Sequence, residues 1–452
     1  MSRGDALSQN IPMAPDAPFD IAAKIDAAAW SGWQKAVILL VASAIILDGF
    51  DNQLLGFVVP VLIREWGTTR AALAPVFALG YAGMVIGAAG GGLVGDRFGR
   101  RPALIASVLL FGAATGLTVL AGTVPQLALL RAVAGLGLGA AMPNGATLLA
   151  EYAPRRRRSL AVTLGIVCIP LGGVGGGFVA AALLPAYGWQ SLFLIGGILP
   201  ALVALLLWRL LPESPQYLAD RPARRAELIA ILQRIGLRAD GETSFVAPLA
   251  PVRTGLGGLF TPPLRMDTCL LWTAFFACLL ITYMVFSWAP TLLSDAGLSI
   301  AQASLGVATF NIGGVVGAIA AALLIPAYGS RRVMLAMAAG GVLMALGLAA
   351  ADGAIPAGTL LALLAIEGAF INAVQTSLYA LASHIYVARQ RATGVGAASG
   401  FGRNGAIVSS FVGAAVLACG WSAYFLTLAA GMAITLMALA LIARHAPAER
   451  RD

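Results

Sequence analysis

Long apolar stretches follow one another along almost the whole chain, and short polar breaks separate them. A helix needs about 20 apolar residues to cross the roughly 30 Å hydrocarbon core of a bilayer. Reading between the polar breaks, the sequence therefore predicts an all-α membrane protein with twelve transmembrane helices. The predicted spans are residues 36–62, 72–94, 103–122, 126–150, 160–186, 191–211, 268–293, 301–325, 333–351, 357–383, 393–418 and 422–443.

The composition favours a membrane protein and excludes several other classes. Only 11% of the 452 residues are charged and 59% are hydrophobic, whereas a soluble domain carries about 25% charged residues. The 54 glycines also favour a membrane protein, because glycine lets membrane helices approach closely. The four cysteines and two histidines show no ligand spacing. We therefore predict no disulfide framework, no metal site and no cofactor, and we do not expect an enzyme.

The basic residues lie in short clusters between the spans, so the net charge of +9 does not indicate a nucleic-acid interface. Alternate connections differ sharply in charge. One set includes 97–101, 155–158 and the Arg-rich connection 212–266, whereas the opposite set offers only Arg64 and Arg70. By the positive-inside rule, both termini and the long central connection are predicted to lie in the cytoplasm.

The two halves of the chain resemble each other. YGWQSLFL (187–194) recurs as CGWSAYFL (419–426) at an offset of 232, and GRRPAL (99–104) recurs as SRRVML (330–335) at an offset of 231. A nearly constant offset predicts two six-helix halves in the same orientation, the parallel repeat seen in some transporters. The predicted segments are a cytoplasmic N-terminal segment 1–35, an N-terminal half 36–211, a cytoplasmic central loop 212–266, a C-terminal half 267–443 and a cytoplasmic tail 444–452.

Two carboxylates, Asp48 and Asp51, interrupt the first apolar span. A charge at the bilayer centre costs about 2.5–3.5 kcal/mol, so such residues normally face a water-filled cavity or a partner. A spacing of i, i+3 places both on one helical face. Because two such close carboxylates disfavour double ionisation, one of them is expected to bind a proton. The pattern predicts a proton-coupling site.

Motifs in the loops and on the fourth span indicate which class of membrane protein this is. GDRFGRRPAL (95–104) follows the second span, and its glycines allow a tight turn. RAVAGLGLGAAMPN (131–144), EYAPRRRR (151–158) and PESPQYL (212–218) accompany it. Together these motifs resemble the major facilitator superfamily over essentially the whole chain. The resemblance implies that spans one, four, seven and ten line a central cavity.

The superfamily resemblance also implies a gate at the cytoplasmic side. Asp96 of the 95–104 motif can pair with nearby arginines, and a latch around Asp96, Arg100 and Arg101 would hold the outward-open state. Glu151 is a fourth predicted gating residue. The counterpart in the second half, IPAYGSRRVML (325–335), lacks the aspartate.

Four further motifs resemble a narrower family, the aromatic acid:proton symporters of bacteria. They are DGFD (48–51), WAPTLLSDAGLS (288–299), QTSLYALASHIY (375–386) and RATGVGAASGFGRNGAI (391–407). Members of that family import benzoates, hydroxybenzoates, phenylpropanoid acids and related carboxylates together with protons. The resemblance implies a multi-pass protein of the bacterial inner membrane.

The family resemblance gives roles to the buried charges. The paired aspartates correspond to Asp48 and Asp51, and the arginine of span eleven corresponds to Arg403. At about 1.5 Å per residue, Asp51 and Arg131 reach about the same depth, and we predict that they pair. Glu367, where the sequence departs from the family's usual small residue, falls near mid-membrane like Arg403 and is a third candidate for proton coupling. Fixed salt bridges between neighbouring helices stay open as the alternative.

An anionic aromatic substrate needs a cation and apolar walls. Arg403 is the predicted receptor, since guanidinium binds carboxylate bidentately, and Arg131 is a second candidate. The other predicted substrate-binding residues are Tyr283, Phe286, Trp288, Asn311, Asn372, Gln375 and Tyr379. Each aromatic could instead serve ordinary helix packing, whereas an amide in hydrocarbon is costly unless it is paired. The predicted partners are a small aromatic acid, protons and the lipid membrane, with the chain acting as a monomer.

The leading interpretation is proton-coupled import of an aromatic carboxylate by alternating access. One alternative is a proton-driven exporter of amphipathic compounds, which would share the fold and the loop motif. Such exporters usually carry a Gly-Pro motif in the fifth span, and GIVCIPLGGVGGG (165–177) only approximates it. A second alternative is a transporter-like receptor that binds the acid and signals. The short loops and the lack of an appended cytoplasmic domain argue against a receptor.

Overall fold

The computed structural model describes residues 21–28, 30–237, 255–351, 355–387 and 390–448. These described residues form fifteen α-helices and three short 3₁₀ turns, without any strand. The helices of the first part are α1 Ile21–Ala27, α2 Gly32–Trp66, α3 Arg70–Phe98, α4 Arg100–Leu117, α5 Val124–Tyr152, α6 Arg155–Tyr187, α7 Gln190–Leu210, α8 Pro215–Ala219 and α9 Arg225–Ile235. Those of the second part are α10 Arg265–Asp295, α11 Ile300–Tyr328, α12 Ser330–Ala350, α13 Ala357–Ile385, α14 Arg391–Ala418 and α15 Trp421–Leu441.

Within the described ranges, the twelve helices α2–α7 and α10–α15 are long and apolar enough to cross a membrane. Each predicted span falls on one of these helices, which confirms the all-α fold with twelve transmembrane helices in two six-helix halves. Of the predicted segments, residues 1–20, 29, 238–254, 352–354, 388–389 and 449–452 lie outside the described ranges. The exact boundaries between segments stay predictions.

The turn after the second helix of each half is built in the same way. Gly99 lies between α3 and α4 with φ 110°, and Gly329 lies between α11 and α12 with φ 82°. Both values fall in a region that residues with a Cβ rarely adopt, so glycine is required at both turns. The repeated sequence motif therefore corresponds to a repeated backbone turn, as expected for two related halves.

Close helix packing explains much of the glycine content. On α3, a Cβ at Gly87 would collide with the backbone of Leu136 on α5. On α11, the equivalent helix of the second half, a Cβ at Gly317 would collide with the backbone of Ala369 on α13. Membrane helices associate through such small-residue contacts, because lipid provides no hydrophobic force between them. The two halves therefore use the same close packing of a glycine against the backbone of the neighbouring helix.

Candidate functional site

A cavity of about 530 Å³ lies between the two halves, a volume typical of small-molecule sites. Its walls include Asp48, Asn52, Met84, Tyr283, Phe286, Asn372, Gln375, Tyr379 and Arg403. The cavity extends from mid-depth toward the membrane face that carries the 97–101 cluster, which we call the basic face. Near that face, α5 lines the cavity through Ala146 and α14 lines it through Gly396.

Arg403 and Asp48 give the cavity one cation and one carboxyl from opposite halves. The Arg403 guanidinium donates to the Met84 carbonyl at 3.2 Å, so most of its donors stay available. Asp48 is 4% exposed and its Oδ1 atom has no hydrogen-bond partner among the described residues. The two groups are close enough to attract each other electrostatically. This arrangement can bind a carboxylate and hold a proton within one cavity.

Aromatic and amide side chains form the wall around these groups. The Tyr283 ring packs edge-on against Phe286, with centroids 5.7 Å apart, and Asn52 lines the same cavity. Tyr379 packs edge-on against Phe275 at 5.1 Å. Asn372 donates to the Gly368 carbonyl at 3.0 Å. Such a wall suits a flat ring that carries a few polar substituents.

Asp51 and Arg131 form the predicted ion pair, beside the main cavity rather than in its wall. Arg131 Nη1 lies 3.3 Å from Asp51 Oδ2, and both side chains are buried. Thr115 donates to Asp51 Oδ1 at 2.5 Å and accepts from Arg131 at 2.7 Å. The Phe193 ring lies 5.1 Å from the Arg131 guanidinium. Because the pair satisfies its own charges, Arg131 does not present its charge to the cavity that Arg403 lines.

The structure does not place two other predicted substrate-binding residues in the cavity wall. Trp288 is fully buried, and its indole N–H donates to the Ser410 carbonyl at 3.1 Å. Asn311 is also fully buried and donates to Gln53 at 2.8 Å across the two halves. Both predictions of cavity lining are wrong, because these side chains project into contacts between helices. Their polar groups are satisfied by protein rather than by a ligand.

Glu367 does not pair with Arg403 among the described residues, so the structure does not show the fixed salt bridge that is the alternative for these two residues. The side chain is fully buried beside a space of about 10 Å³, which is too small for an organic substrate. Apolar side chains such as Leu292, Phe310 and Leu428 surround it. Neither carboxyl oxygen has a hydrogen-bond partner among the described residues. Its predicted role in proton coupling remains untested by this geometry.

The halves meet closely at the face opposite the basic face. Arg70 of α3 and Asp295 of α10 form an ion pair at 2.5 Å, and Arg64 donates to Ser294 at 3.1 Å. Deeper in the same region, the hydroxyl of Tyr81 lies 2.7 Å from that of Ser287. These contacts between halves close the opposite side while the cavity extends toward the basic face.

The predicted gating residues make their described contacts within the N-terminal half and with the start of the predicted central loop. Arg100 pairs with Asp96 and also donates to the Asn144 side chain at 3.4 Å. Arg101 donates to the Trp208 carbonyl. Glu151 accepts a hydrogen bond from Ser214, which follows α7. The four residues thus lie in one polar region at the basic face, next to the predicted central loop.

Sequence reasoning missed several residues of the site and of its surroundings. Asn52 lines the cavity and Thr115 holds Asp51. Gln53 joins the halves through Asn311. For Asn52 and Gln53 a signal existed, because polar residues within a membrane span are usually functional or paired. Thr115 gave no such signal, since threonine is common in apolar helices and can bond its own backbone.

Comparisons with known proteins agree with the fold and with the site. The profile of the Major Facilitator Superfamily matches residues 41–354 and 271–452. The chain is 39% identical to a 4-hydroxybenzoate transporter, PcaK, of Pseudomonas putida, covering 89% of this chain and 90% of that protein. It is 38% identical to a gallate transporter of Pseudomonas putida, covering 95% of each.

A solved structure shares the fold at low sequence identity. The inward-open conformation of the xylose transporter XylE from E. coli superposes with a TM-score of 0.73 at 18% identity, covering 91% of this chain and 97% of that chain. The superfamily profile and the two transporters indicate a multi-pass transporter rather than an enzyme. The chain belongs to the Major Facilitator Superfamily and, within it, to the family of aromatic acid transporters.

Proposed function

We propose that this protein imports an aromatic carboxylate together with protons by alternating access. The observation that supports this function best is the central cavity, in which Arg403 faces Asp48 between aromatic walls. The guanidinium would bind the substrate carboxylate, and Tyr283, Phe286 and Tyr379 would contact the ring. The names of the similar transporters support the substrate class.

Coupling would arise because Asp48 and the substrate compete for the same cation. Ionised Asp48 attracts Arg403 and so lowers its affinity for a second carboxylate. A proton on Asp48 removes that competition and leaves the guanidinium free for the substrate. The unpartnered Oδ1 atom of Asp48 supports this role, since a buried carboxylate without partners is costly. Asp51, held by Arg131 and Thr115, would stabilise the helix that carries Asp48.

The direction of transport follows from the topology that we propose. If the basic face is cytoplasmic, as the positive-inside rule indicates, the cavity extends inward and the contacts of Arg70 with Asp295 close the outside. Rocking of the halves would break those contacts and open the other side. The latch of Asp96, Arg100, Arg101 and Glu151 would then engage the second half, and the membrane would be the bacterial inner membrane.

Uptake into proteoliposomes tests the function. A panel of benzoate, hydroxybenzoates, protocatechuate and phenylpropanoid acids is offered with and without an inward proton gradient. We expect gradient-dependent accumulation of at least one ring acid. If no acid accumulates, while a preloaded amphipathic compound leaves as protons enter, an exporter replaces the proposed function.

A further inference from the structure

One amide oxygen in the cavity wall has no hydrogen-bond partner within the described part of the chain. Gln375 lines the cavity from α13, and its Oε1 atom is shielded from solvent without any hydrogen bond among the described residues. An acceptor buried without a partner costs about 1–3 kcal/mol. A ligand in the cavity that donates a hydrogen bond to this atom would remove that cost.

Two other polar groups of the wall already have protein partners. Asn372 donates to Gly368 and Arg403 donates to Met84, and Asn52 has no side-chain atom that is both buried and unpartnered among the described residues. Among the described cavity residues, Asp48 is the second one with a buried, unpartnered side-chain oxygen. The proposed function already assigns the proton to Asp48. The unpartnered oxygen of Gln375 is therefore left for the substrate.

The position of Gln375 indicates which part of the substrate it meets. Gln375 and Tyr379 are four residues apart, so they share one face of α13 about one turn, or 5.4 Å, apart. Tyr379 and Arg403 line the same cavity. A carboxylate on Arg403 would thus lie beside Tyr379, and a ring extending along α13 would bring its far edge to Gln375. That edge carries the ring hydroxyl of a hydroxylated aromatic acid.

Resting on the proposed function, we infer that Gln375 accepts a hydrogen bond from a ring hydroxyl and makes the transporter selective for hydroxylated aromatic acids over unsubstituted ones. A carboxylate cannot donate to Oε1 because it has no proton, whereas a phenolic hydroxyl can. A site that bonds a substrate hydroxyl discriminates against the analogue without it, since binding the analogue leaves the buried acceptor unpaired.

The test compares uptake of 4-hydroxybenzoate with that of benzoate in proteoliposomes. The wild type is expected to have the higher kcat/KM for 4-hydroxybenzoate. In Gln375→Leu, and in the longer Gln375→Met, we expect this preference to fall at least about tenfold, because neither side chain can accept the bond. Uptake of benzoate is expected to persist, which also shows that each variant is folded.

Ser383→Ala is the control on the same helix. Ser383 is not among the residues that line the cavity, and its hydroxyl donates to the Ala380 carbonyl at 2.7 Å, so the ratio between the two acids should not change. An unchanged preference in both Gln375 variants overturns the inference. An equal loss for both acids also overturns it, because Gln375 would then act on the carboxylate or on the fold. If the wild type accumulates none of the ring acids in the panel given above, the proposed function itself fails.

Discussion

The guanidinium of Arg131 lies 3.3 Å from the Asp51 carboxylate, and their side chains are 6% and 0% exposed, respectively. The pair joins α5 to α2 within the N-terminal half, and Thr115 bonds to both partners. Asp48, one turn away on α2, instead faces the cavity. The two neighbouring aspartates therefore have different surroundings, and we expect different consequences when each is replaced.

Breaking the buried pair from one side is expected to destabilise the protein. Arg131→Gln leaves the Asp51 charge buried without its cation, at a cost of about 3–5 kcal/mol. The double variant Arg131→Gln with Asp51→Asn removes both charges and should regain much of that stability. Thermal unfolding in detergent measures the two single variants, Arg131→Gln and Asp51→Asn, and the double variant against the wild type. A double variant whose loss equals the sum of the two single losses would show that the pair is not coupled.

Replacing the cavity cation is expected to weaken substrate binding without unfolding the protein. Arg403→Gln removes the charge, and we expect the Kd for the aromatic acid to rise at least tenfold, or about 1.4 kcal/mol. Arg403→Lys keeps the charge but loses the bidentate geometry. Its Kd should therefore lie between that of the wild type and that of Arg403→Gln. Equilibrium binding with radiolabelled substrate measures the series. An unchanged Kd in Arg403→Gln would exclude this residue as the carboxylate receptor.

The sequence was enough to predict how deep a residue lies in the membrane, because depth follows from the number of residues between it and the helix end. The predictions that the structure confirms are of this kind. Counting residues from the helix ends placed Asp51 and Arg131 at one level, and they pair. The 95–104 motif located the turn at Gly99, and its counterpart 325–335, in which Ser330 stands between Gly329 and the two arginines, corresponds to the turn at Gly329. Apolar length alone identified the twelve membrane helices.

The rotation of each helix about its axis was not predictable. Trp288 and Asn311 lie on cavity-forming or neighbouring helices, yet they face other helices. Glu367 was correctly expected to be buried, but it points to an apolar space away from Arg403. Which face meets the cavity depends on packing between distant segments, and helices that are apolar all round carry little periodic signal to define it.

Replacing Glu367 by an apolar residue is expected to stabilise the protein. Its carboxyl oxygens lie in apolar surroundings and have no hydrogen-bond partner among the residues that the structure describes, so Glu367→Leu removes a desolvation cost of about 1–3 kcal/mol. The measurement is the Tm in detergent, with uptake assayed in parallel. A lower Tm would contradict the expectation. Loss of uphill accumulation with retained exchange would instead support the predicted role of Glu367 in proton coupling.

The tail after α15 is expected to loosen in acid. His445 Nδ1 lies 3.2 Å from the Ser330 hydroxyl and Nε2 lies 3.0 Å from the Leu439 carbonyl. Burial lowers the pKa of His445 below its usual 6.5, and nearby Arg331 acts in the same direction. The neutral form is therefore favoured in the docked state, so docking is stable above pH 6.5 and weakens as the pH falls through the lowered pKa.

Hydrogen exchange of residues 443–446 measures this docking as a function of pH, with the exchange rates corrected for their intrinsic pH dependence. Protection should fall below pH 6.5 in the wild type. His445→Gln cannot be protonated, and its protection should not change with pH in that range. Equal pH dependence in both proteins would exclude His445 as the titrating group.

Proton coupling through Asp48 is the central claim, and one transport measurement tests it most directly. Proteoliposomes with wild type or Asp48→Asn receive 4-hydroxybenzoate under an inward proton gradient, and exchange against internal substrate is measured in the same preparation. We predict uphill accumulation by the wild type, and exchange without accumulation by Asp48→Asn, whose amide leaves Arg403 free but cannot release a proton. Uphill accumulation by Asp48→Asn at the wild-type level would contradict the account.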